Sequence, residues 1–193
     1  VVAGALRSSP AAAMEAAKEW GVQGFPDYQS MIGAWKAGDL ALDYVTIATP
    51  NHAHFGPAKA AVEAGLPVLC EKPMTLTLEE SMELAALVKQ HDVPFVLAHT
   101  YTGHPMMMYA KELIRQGAIG DIRKIESWYK QGWLARALES EGQQQAAWRV
   151  DPKRAGISNC GGDIGTHAFV AATWVTGLKV ERVSARLNTF VEG

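Results

Sequence analysis

The chain has 193 residues, 48% of them hydrophobic and 20% charged, with a net charge of −2. This length supports one sizeable hydrophobic core or two small ones. The basic residues are dispersed, so no nucleic-acid partner is indicated. No apolar stretch approaches the roughly 20 residues that a membrane-spanning helix needs, so no membrane partner is expected either.

The cysteine pattern predicts a reducing compartment. Cys70 and Cys160 lie far apart and match no zinc-binding or redox spacing. Cys70 ends the apolar run 67–70, so we expect a buried thiol and a cytoplasmic protein. Residues 1–6 contain neither a methionine nor a basic segment, and we expect the natural N-terminus to lie upstream.

The first part of the sequence alternates short apolar runs with helical patterns. Strands are predicted at 1–6, 44–48, 67–70 and 95–98. Helices are predicted at 10–20, from Asp27 to about 38, at 52–64, after Thr77, and at 105–116. This alternation predicts a Rossmann-like parallel sheet with helices on both faces, N-terminally incomplete, over residues 1–121.

Two of these helices have start signals in the sequence. Asn51 is expected to cap the helix over 52–64, and Thr77 with Glu80 has the spacing of a capping box. The helix after Thr77 is predicted to bury a face formed by Leu78, Met82 and Ala85.

The pattern changes after Gly120. Residues 122–133 and 181–191 show partial alternation, which predicts strands of a mostly antiparallel open sheet. Between them lie a polar stretch at 139–155, a turn at Gly161-Gly162 and a predicted helix from Asp163 to Thr176. The second domain is therefore predicted to be α+β, C-terminally incomplete, and to cover 122–193, with the domain boundary near Asp121.

Three polar clusters follow predicted strands of the first domain. They are Thr49-Pro50-Asn51, Glu71-Lys72-Pro73 and His99-Thr100-Tyr101. The carboxyl ends of parallel strands share one edge of a sheet, and open α/β sheets bind ligands at that edge. We therefore expect the three clusters to meet at a ligand site.

Lys72 is the first candidate for chemistry. Because a proline follows it, its backbone is restricted to an extended conformation, which directs the side chain away from the sheet edge. An ammonium group there could hydrogen-bond a substrate hydroxyl and stabilise an alkoxide as hydride leaves. The competing interpretation is a surface lysine paired with Glu71.

Asp163 and His167 are the second candidate. They are four residues apart and would share one face of a helix. An imidazole is a suitable general base near neutral pH, and a neighbouring carboxylate would orient it. Alternatively, Asp163 caps the helix and His167 packs in its first turn; a metal pair would lack a third ligand.

Other residues could contact ligands. Asn51 and His54 lie at a predicted helix N-terminus, which can face a cofactor phosphate or ribose. In the pair Trp148-Arg149, the arginine could reach a pyrophosphate, or the tryptophan could simply anchor the loop. The candidates for substrate contact are Tyr101 and His104.

No Gly-x-Gly-x-x-Gly motif occurs in the sequence. If residues 1–6 form the second strand of a dinucleotide fold, the position that holds the ribose falls near Arg7 and Ser8. These residues would suit a 2′-phosphate, although a basic residue after a strand is also common on any protein surface. The predicted cofactor is NAD or NADP.

Four segments together resemble a known enzyme family. They are residues 45–54 (VTIATPNHAH), 71–73 (EKP), 117–120 (GAIG) and 162–167 (GDIGTH). In this order and spacing the chain is similar to the glucose–fructose oxidoreductase, inositol dehydrogenase and rhizopine-catabolism (Gfo/Idh/MocA) family. The similarity covers nearly the whole chain.

The resemblance implies a Rossmann domain followed by a domain whose open sheet often forms a homo-oligomer, here a dimer or tetramer. It implies reversible oxidation of a hydroxyl on a sugar, inositol or related polyol with NAD or NADP. Lys72 would contact the nicotinamide end and the substrate, and Asp163 and His167 would be the acid/base pair, with His167 the proton acceptor. Residues expected to line the cofactor are Thr49, Pro50, Asn51, His54, Glu71, Lys72, Pro73, Trp148 and Arg149.

The family also includes members with other activities. The alternatives are a non-catalytic nucleotide- or sugar-binding protein and a glycosidase that uses NAD transiently. Because the Gly-rich loop is not in this sequence, we expect an excerpt of a longer enzyme, inactive by itself and binding dinucleotide poorly.

Overall fold

The computed structural model describes residues 1–188, which fold as two compact units. The first unit comprises Val1–Thr49 and Ala53–Leu97, and the second comprises Pro50–His52 and the chain from Ala98 onward. The predicted boundary near Asp121 therefore falls inside the second unit. The cause is the helix Pro105–Arg115, which packs on a helix near the end of the described chain.

The first unit alternates strands and helices, as predicted. Its strands are β1 Ala3–Gly4, β2 Gln23–Gly24, β3 Val45–Ile47, β4 Val68–Glu71 and β5 Phe95–Ala98. Its helices are α1 Pro10–Trp20, α2 Tyr28–Ala37, α3 Phe55–Ala64 and α4 Leu78–His91. Strands β1 and β2 pair in parallel, and a second sheet has the order β3-β4-β5, with β3 and β4 parallel.

The helix boundaries follow local signals in the sequence. The Asp27 carboxylate accepts a hydrogen bond from the Ser30 backbone N–H at 2.7 Å, and this bond lowers the pKa of Asp27. Thr77 and Glu80 form the predicted capping box at the start of α4. Helices α1, α2 and α3 end at Gly21, Gly38 and Gly65, each in the left-handed conformation that glycine adopts without strain.

The core of the first unit packs α3 and α4 against the sheet. Its most buried side chains include Val62, Leu66, Cys70 and Leu84. The burial predicted for the other face of α4 is wrong, because Leu78 and Met82 are 69% and 64% exposed. The helix has two apolar stripes, and α3 covers the stripe that contains Leu84.

Two strand predictions in the second unit are not reproduced among the described residues. Residues 122–133 and 181–188 contain no strand, and 189–191 lie outside the described residues. A strand requires a neighbouring backbone to pair with, and these stretches have none among residues 1–188. Apolar side chains of these two stretches, among them Ile125, Trp128, Val183 and Leu187, are left exposed.

The second unit is built from helices. They are α5 Pro105–Arg115, α6 Gln144–Arg149, α7 Pro152–Ala155 and α8 Thr166–Thr176. A π-helical turn, Gly161–Gly165, precedes α8 directly. Helix α5 packs on α8, where the Lys111 ammonium lies 3.9 Å from the centre of the Trp174 ring.

The predicted helix cap at Asn51 is wrong, and so is the alternative interpretation of Asp163 as an N-cap. Asn51 lies in a 3₁₀ turn, and its amide donates to the Ala155 carbonyl at 2.9 Å instead of capping α3. Asp163 lies within the π-helical turn, where its own N–H donates to the Asn159 carbonyl. Because the helical hydrogen bonding begins before Asp163, this residue cannot be the N-cap.

Candidate functional site

In the first unit, the predicted ligand site lies at the carboxyl ends of two neighbouring strands. β3 ends at Ile47 and β4 at Glu71, so Thr49 and the segment Lys72-Pro73 emerge from adjacent parallel strands. The Lys72–Pro73 peptide bond is cis. The Glu71 carboxylate accepts a hydrogen bond from the Lys72 backbone N–H at 3.2 Å. Lys72 therefore directly follows the last residue of β4, at the carboxyl end of the strand.

His54 links the two strand ends from inside the first unit. Its Nδ1 lies 2.7 Å from the Pro73 carbonyl oxygen, and its Nε2 lies 2.8 Å from that of Thr49. The imidazole is only 1% exposed. His54 was predicted to line the cofactor, but both ring nitrogens face backbone carbonyls. The buried imidazole therefore connects the backbone segments that follow β3 and β4.

Arg7 and Ser8 lie on the surface after β1. Both are exposed, and the Arg7 guanidinium donates to the Leu6 carbonyl at 2.9 Å. An exposed cation in this position is accessible to an anionic ligand group.

In the second unit, Asp163 is paired with Arg149. Arg149 Nε donates to Asp163 Oδ2 at 3.1 Å, and Arg149 Nη1 donates to the Gln145 side chain and backbone carbonyl at 2.7 and 3.1 Å. The Arg149 guanidinium also packs against the rings of Trp148 and Trp133. The predicted acid/base carboxylate and the predicted cofactor arginine are therefore direct partners.

His167 lies in the first turn of α8 within a cluster of aromatic rings. Its ring centre is 4.7 Å from that of Tyr101, 5.8 Å from that of Tyr129 and 6.3 Å from that of His99. The hydroxyls of Tyr101 and Tyr129 are hydrogen-bonded, and this bond, followed by burial, raises the pKa of Tyr101. His104 stacks on Tyr101 at 5.8 Å. Of the predicted substrate residues, Tyr101 therefore lies beside the predicted base His167, and His104 lies against Tyr101.

A cavity of about 560 Å³ adjoins this cluster. It is lined by Tyr129, Lys130, Gln131, Trp133, Leu134, Asn159, Cys160, Gly161, Asp163, Ile164, Gly165 and Ala168. Its size is in the range of small-molecule sites. The lining combines indole and phenol rings with amide and carboxylate oxygens, which suits a compact ligand that carries several hydroxyl groups.

Sequence reasoning missed Tyr129, Gln131 and Trp133. The Gln131 amide donates to the Tyr129 hydroxyl at 3.2 Å, and the Trp133 indole donates to the Gln131 side-chain oxygen at 3.0 Å. These residues are spaced by two, and in extended chain such residues point to one side. The alternation that predicted a strand could therefore also have predicted that these three side chains line the same cavity.

Within residues 1–188, no three or more His, Cys, Asp or Glu side chains are grouped so that they could hold a metal ion. Over the same residues, no helix combines the length and apolar character needed to cross a membrane.

The first unit has a Rossmann-like α/β fold with parallel strands. Residues 1–99 match the sequence model of an oxidoreductase family with an NAD-binding Rossmann fold, and residues 107–193 match the GFO/IDH/MocA C-terminal domain. The chain belongs to the Gfo/Idh/MocA oxidoreductase family.

Individual relatives agree with this membership. The chain is 35% identical over 185 residues to levoglucosan dehydrogenase of Pseudarthrobacter phenanthrenivorans, covering 95% of this chain and 44% of that protein. An inositol dehydrogenase homologue of Azotobacter vinelandii in complex with NAD⁺ superposes with a TM-score of 0.84 and 34% identity, over 91% of this chain and 46% of that one. The same homologue with NADH and myo-inositol gives a TM-score of 0.79 and 31% identity, over 91% and 44% of the two chains. The chain thus spans less than half the length of these relatives.

Proposed function

We propose that this chain carries the proton-transfer site of an NAD- or NADP-dependent dehydrogenase that oxidises a hydroxyl group of a sugar, an inositol or a related polyol. The observation that carries the proposal is the environment of His167. Its imidazole lies among Tyr101 and Tyr129, and Tyr129 also lines the cavity that contains Asp163. Family membership and relatives that act on levoglucosan or bind myo-inositol support this substrate class.

Each residue has a role that its chemistry suits. His167 accepts the proton of the substrate hydroxyl, because imidazole exchanges protons near neutral pH. Asp163 holds the base and substrate in orientation, and Tyr101, Tyr129 and His104 contact the polyol. The Lys72 ammonium stabilises negative charge that develops on the substrate oxygen. The nicotinamide cofactor, when bound, supplies the hydride acceptor.

The cofactor site is proposed at the strand ends. Support comes from the adjacency of β3 and β4, whose carboxyl ends carry the polar segments, and from relatives solved with NAD⁺ or NADH. The residues assigned to it are Thr49, Pro50, Asn51, Glu71, Lys72 and Pro73. Arg7 and Ser8 would lie near the adenosine ribose, where an NADP 2′-phosphate would meet the Arg7 charge.

The proposal extends to the assembly and the cell compartment. We assign 1–121 to cofactor binding and 122–193 to substrate binding and oligomerisation. We also propose that, in the full-length protein, the second domain contributes an antiparallel open sheet through which a homodimer or homotetramer forms. The exposed apolar side chains at Ile125, Trp128 and Val183 support this arrangement. Two free cysteines, one of them buried, support a reducing, cytoplasmic location.

The test is a turnover assay on the full-length protein that contains this chain. Formation of NADH and of NADPH is measured against a panel of inositols and sugars that includes myo-inositol and levoglucosan. We expect Lys72→Ala and His167→Ala each to lower turnover by about 10²-fold or more on the best substrate. Lys89→Ala and His91→Ala, which change exposed residues of α4, serve as matched controls.

Two results would contradict the assignment. Near-wild-type turnover in either site variant would remove that residue from the chemistry. Tight NADH binding without oxidation of any polyol would favour a non-catalytic nucleotide-binding protein, and product release without net cofactor reduction would favour an NAD-assisted glycosidase.

A further inference from the structure

His54 is a buried polar side chain whose two ring nitrogens both contact backbone. It lies at the start of α3 and is 1% exposed. Its Nδ1 is 2.7 Å from the Pro73 carbonyl oxygen, and its Nε2 is 2.8 Å from that of Thr49. A neutral imidazole donates to one of these oxygens, and an imidazolium donates to both. Because the ring is buried, these carbonyls replace water as its hydrogen-bond partners.

The backbone that follows β4 is held by side chains. β4 ends at Glu71, and the Lys72 N–H donates to the Glu71 carboxylate at 3.2 Å. The buried Cys70 thiol donates to the Glu71 carbonyl at 3.4 Å. The next carbonyl that a buried side chain contacts is that of Pro73, and its partner is His54. These contacts lie on both sides of Lys72 along the chain.

The loop that follows β3 provides a firm base for the His54 ring. The Thr49 hydroxyl donates to the Ala53 carbonyl at 2.9 Å, and the Thr49 carbonyl contacts His54 Nε2. Both bonds close the same short loop, which begins at Thr49 and ends at His54. The ring therefore has a fixed position from which its other nitrogen reaches the Pro73 carbonyl.

We propose that His54 is a positioning residue for Lys72. It ties the backbone after β4 to the loop after β3, so that the Lys72 side chain starts from one fixed backbone position. The inference rests on the proposed function, which assigns the Lys72 ammonium to the stabilisation of developing negative charge. Such stabilisation requires a group that is in place before the reaction, and a misplacement of about 1 Å can lower a rate by about 10²-fold.

The test begins with three variants of the full-length protein. His54→Phe keeps a ring but removes both nitrogens, and His54→Gln keeps one nitrogen donor. His91→Phe makes the same ring substitution at an exposed position of α4 and is the matched control. We expect kcat on the best panel substrate to fall by about 10- to 100-fold in His54→Phe, less in His54→Gln, and to stay within about 2-fold in the control. Wild-type kcat in His54→Phe would overturn the proposal.

A double-variant cycle distinguishes positioning of Lys72 from a general loss of structure. If His54 acts through Lys72, its substitution has little left to remove once the ammonium is absent. We therefore expect kcat of the double variant His54→Phe/Lys72→Ala to lie within about 3-fold of that of Lys72→Ala. Independent losses, in which His54→Phe lowers kcat by the same factor with or without Lys72, would overturn the proposal.

Amide hydrogen exchange measured by mass spectrometry tests the same contact without activity. In His54→Gln, peptides that cover 49–54 and 71–75 should exchange about 10-fold faster than in wild type, while peptides from α1 should not change. Unchanged exchange in the two segments, or equal acceleration in every peptide, would overturn the proposal, even when His54→Phe does not fold. If the wild-type protein oxidises no polyol, the proposed function fails, while the exchange rates still decide whether His54 holds the backbone around Lys72.

Discussion

At the scale of single residues, a chain of side-chain hydrogen bonds connects the candidate site residues of the second unit. The Trp133 indole bonds Gln131, which bonds Tyr129, and the Tyr129 hydroxyl bonds Tyr101. The rings of both tyrosines lie close to His167. A substitution at Tyr129 should therefore change the pKa of Tyr101.

We expect Tyr129→Phe to lower the pKa of Tyr101 toward its ordinary value. The hydrogen bond from Tyr129 is the largest cause of the raised pKa, and phenylalanine removes this bond. NMR titration of ¹³Cζ-labelled tyrosine in the full-length protein measures the shift. Tyr109→Phe, at an exposed position of α5, is the matched control. An unaltered Tyr101 titration in Tyr129→Phe would show that the hydroxyl contact is absent in solution.

At the scale of elements, the α4 helix shows how packing selects one of two apolar stripes. Leu84 is fully buried in the first unit, whereas Met82, two residues earlier, is 64% exposed. Both stripes have helical spacing, so periodicity alone cannot distinguish them. The contact with α3 decides which one enters the core.

The two stripes should differ sharply in their contribution to stability. We expect Leu84→Ala to lower the free energy of unfolding by about 2–5 kcal/mol, since it leaves a cavity in the core. Met82→Ala, on the exposed stripe, should change it by about 0.5 kcal/mol or less. Urea denaturation of the two variants measures the difference. Equal losses would mean that both stripes are packed to the same extent, which would contradict the observed difference in burial.

At the scale of the whole molecule, the two cysteines lie in different environments, one buried and one exposed. Burial, with a smaller contribution from the Glu71 charge, raises the pKa of Cys70 to about 12. Cys160 is exposed and lines the cavity that contains Asp163. The thiolate is the reactive form, so the buried thiol reacts slowly at neutral pH.

We expect a maleimide at pH 7.5 to label Cys160 of the native full-length protein well before Cys70. A saturating concentration of the best panel substrate should slow the labelling of Cys160, because the proposed function places the substrate in this cavity. Mass spectrometry of the labelled peptides measures both rates, and Cys160→Ser controls for reaction at other sites. Labelling of Cys160 at the same rate with and without substrate would place the substrate elsewhere.

The sequence by itself determined much of the first unit and its helix boundaries. Short apolar runs located β3, β4 and β5, and the capping box located the start of α4, because strand burial and helix caps are local signals. The motif segments also identified the family, which the matches over 1–99 and 107–193 confirm. β2 was missed, since two residues carry no detectable pattern.

Only the tertiary structure decided which residues meet. His54 lies between two strand ends, where it contacts two backbone carbonyls. Asn51 donates to the Ala155 carbonyl and does not cap a helix. Arg149 forms an ion pair with Asp163. The tertiary structure also brings Tyr129, Gln131 and Trp133 together at the cavity. Each of these contacts joins residues whose roles depend on packing between elements. Local propensity carries no information about such distances, so the sequence could propose candidate site residues but not the residues that they contact.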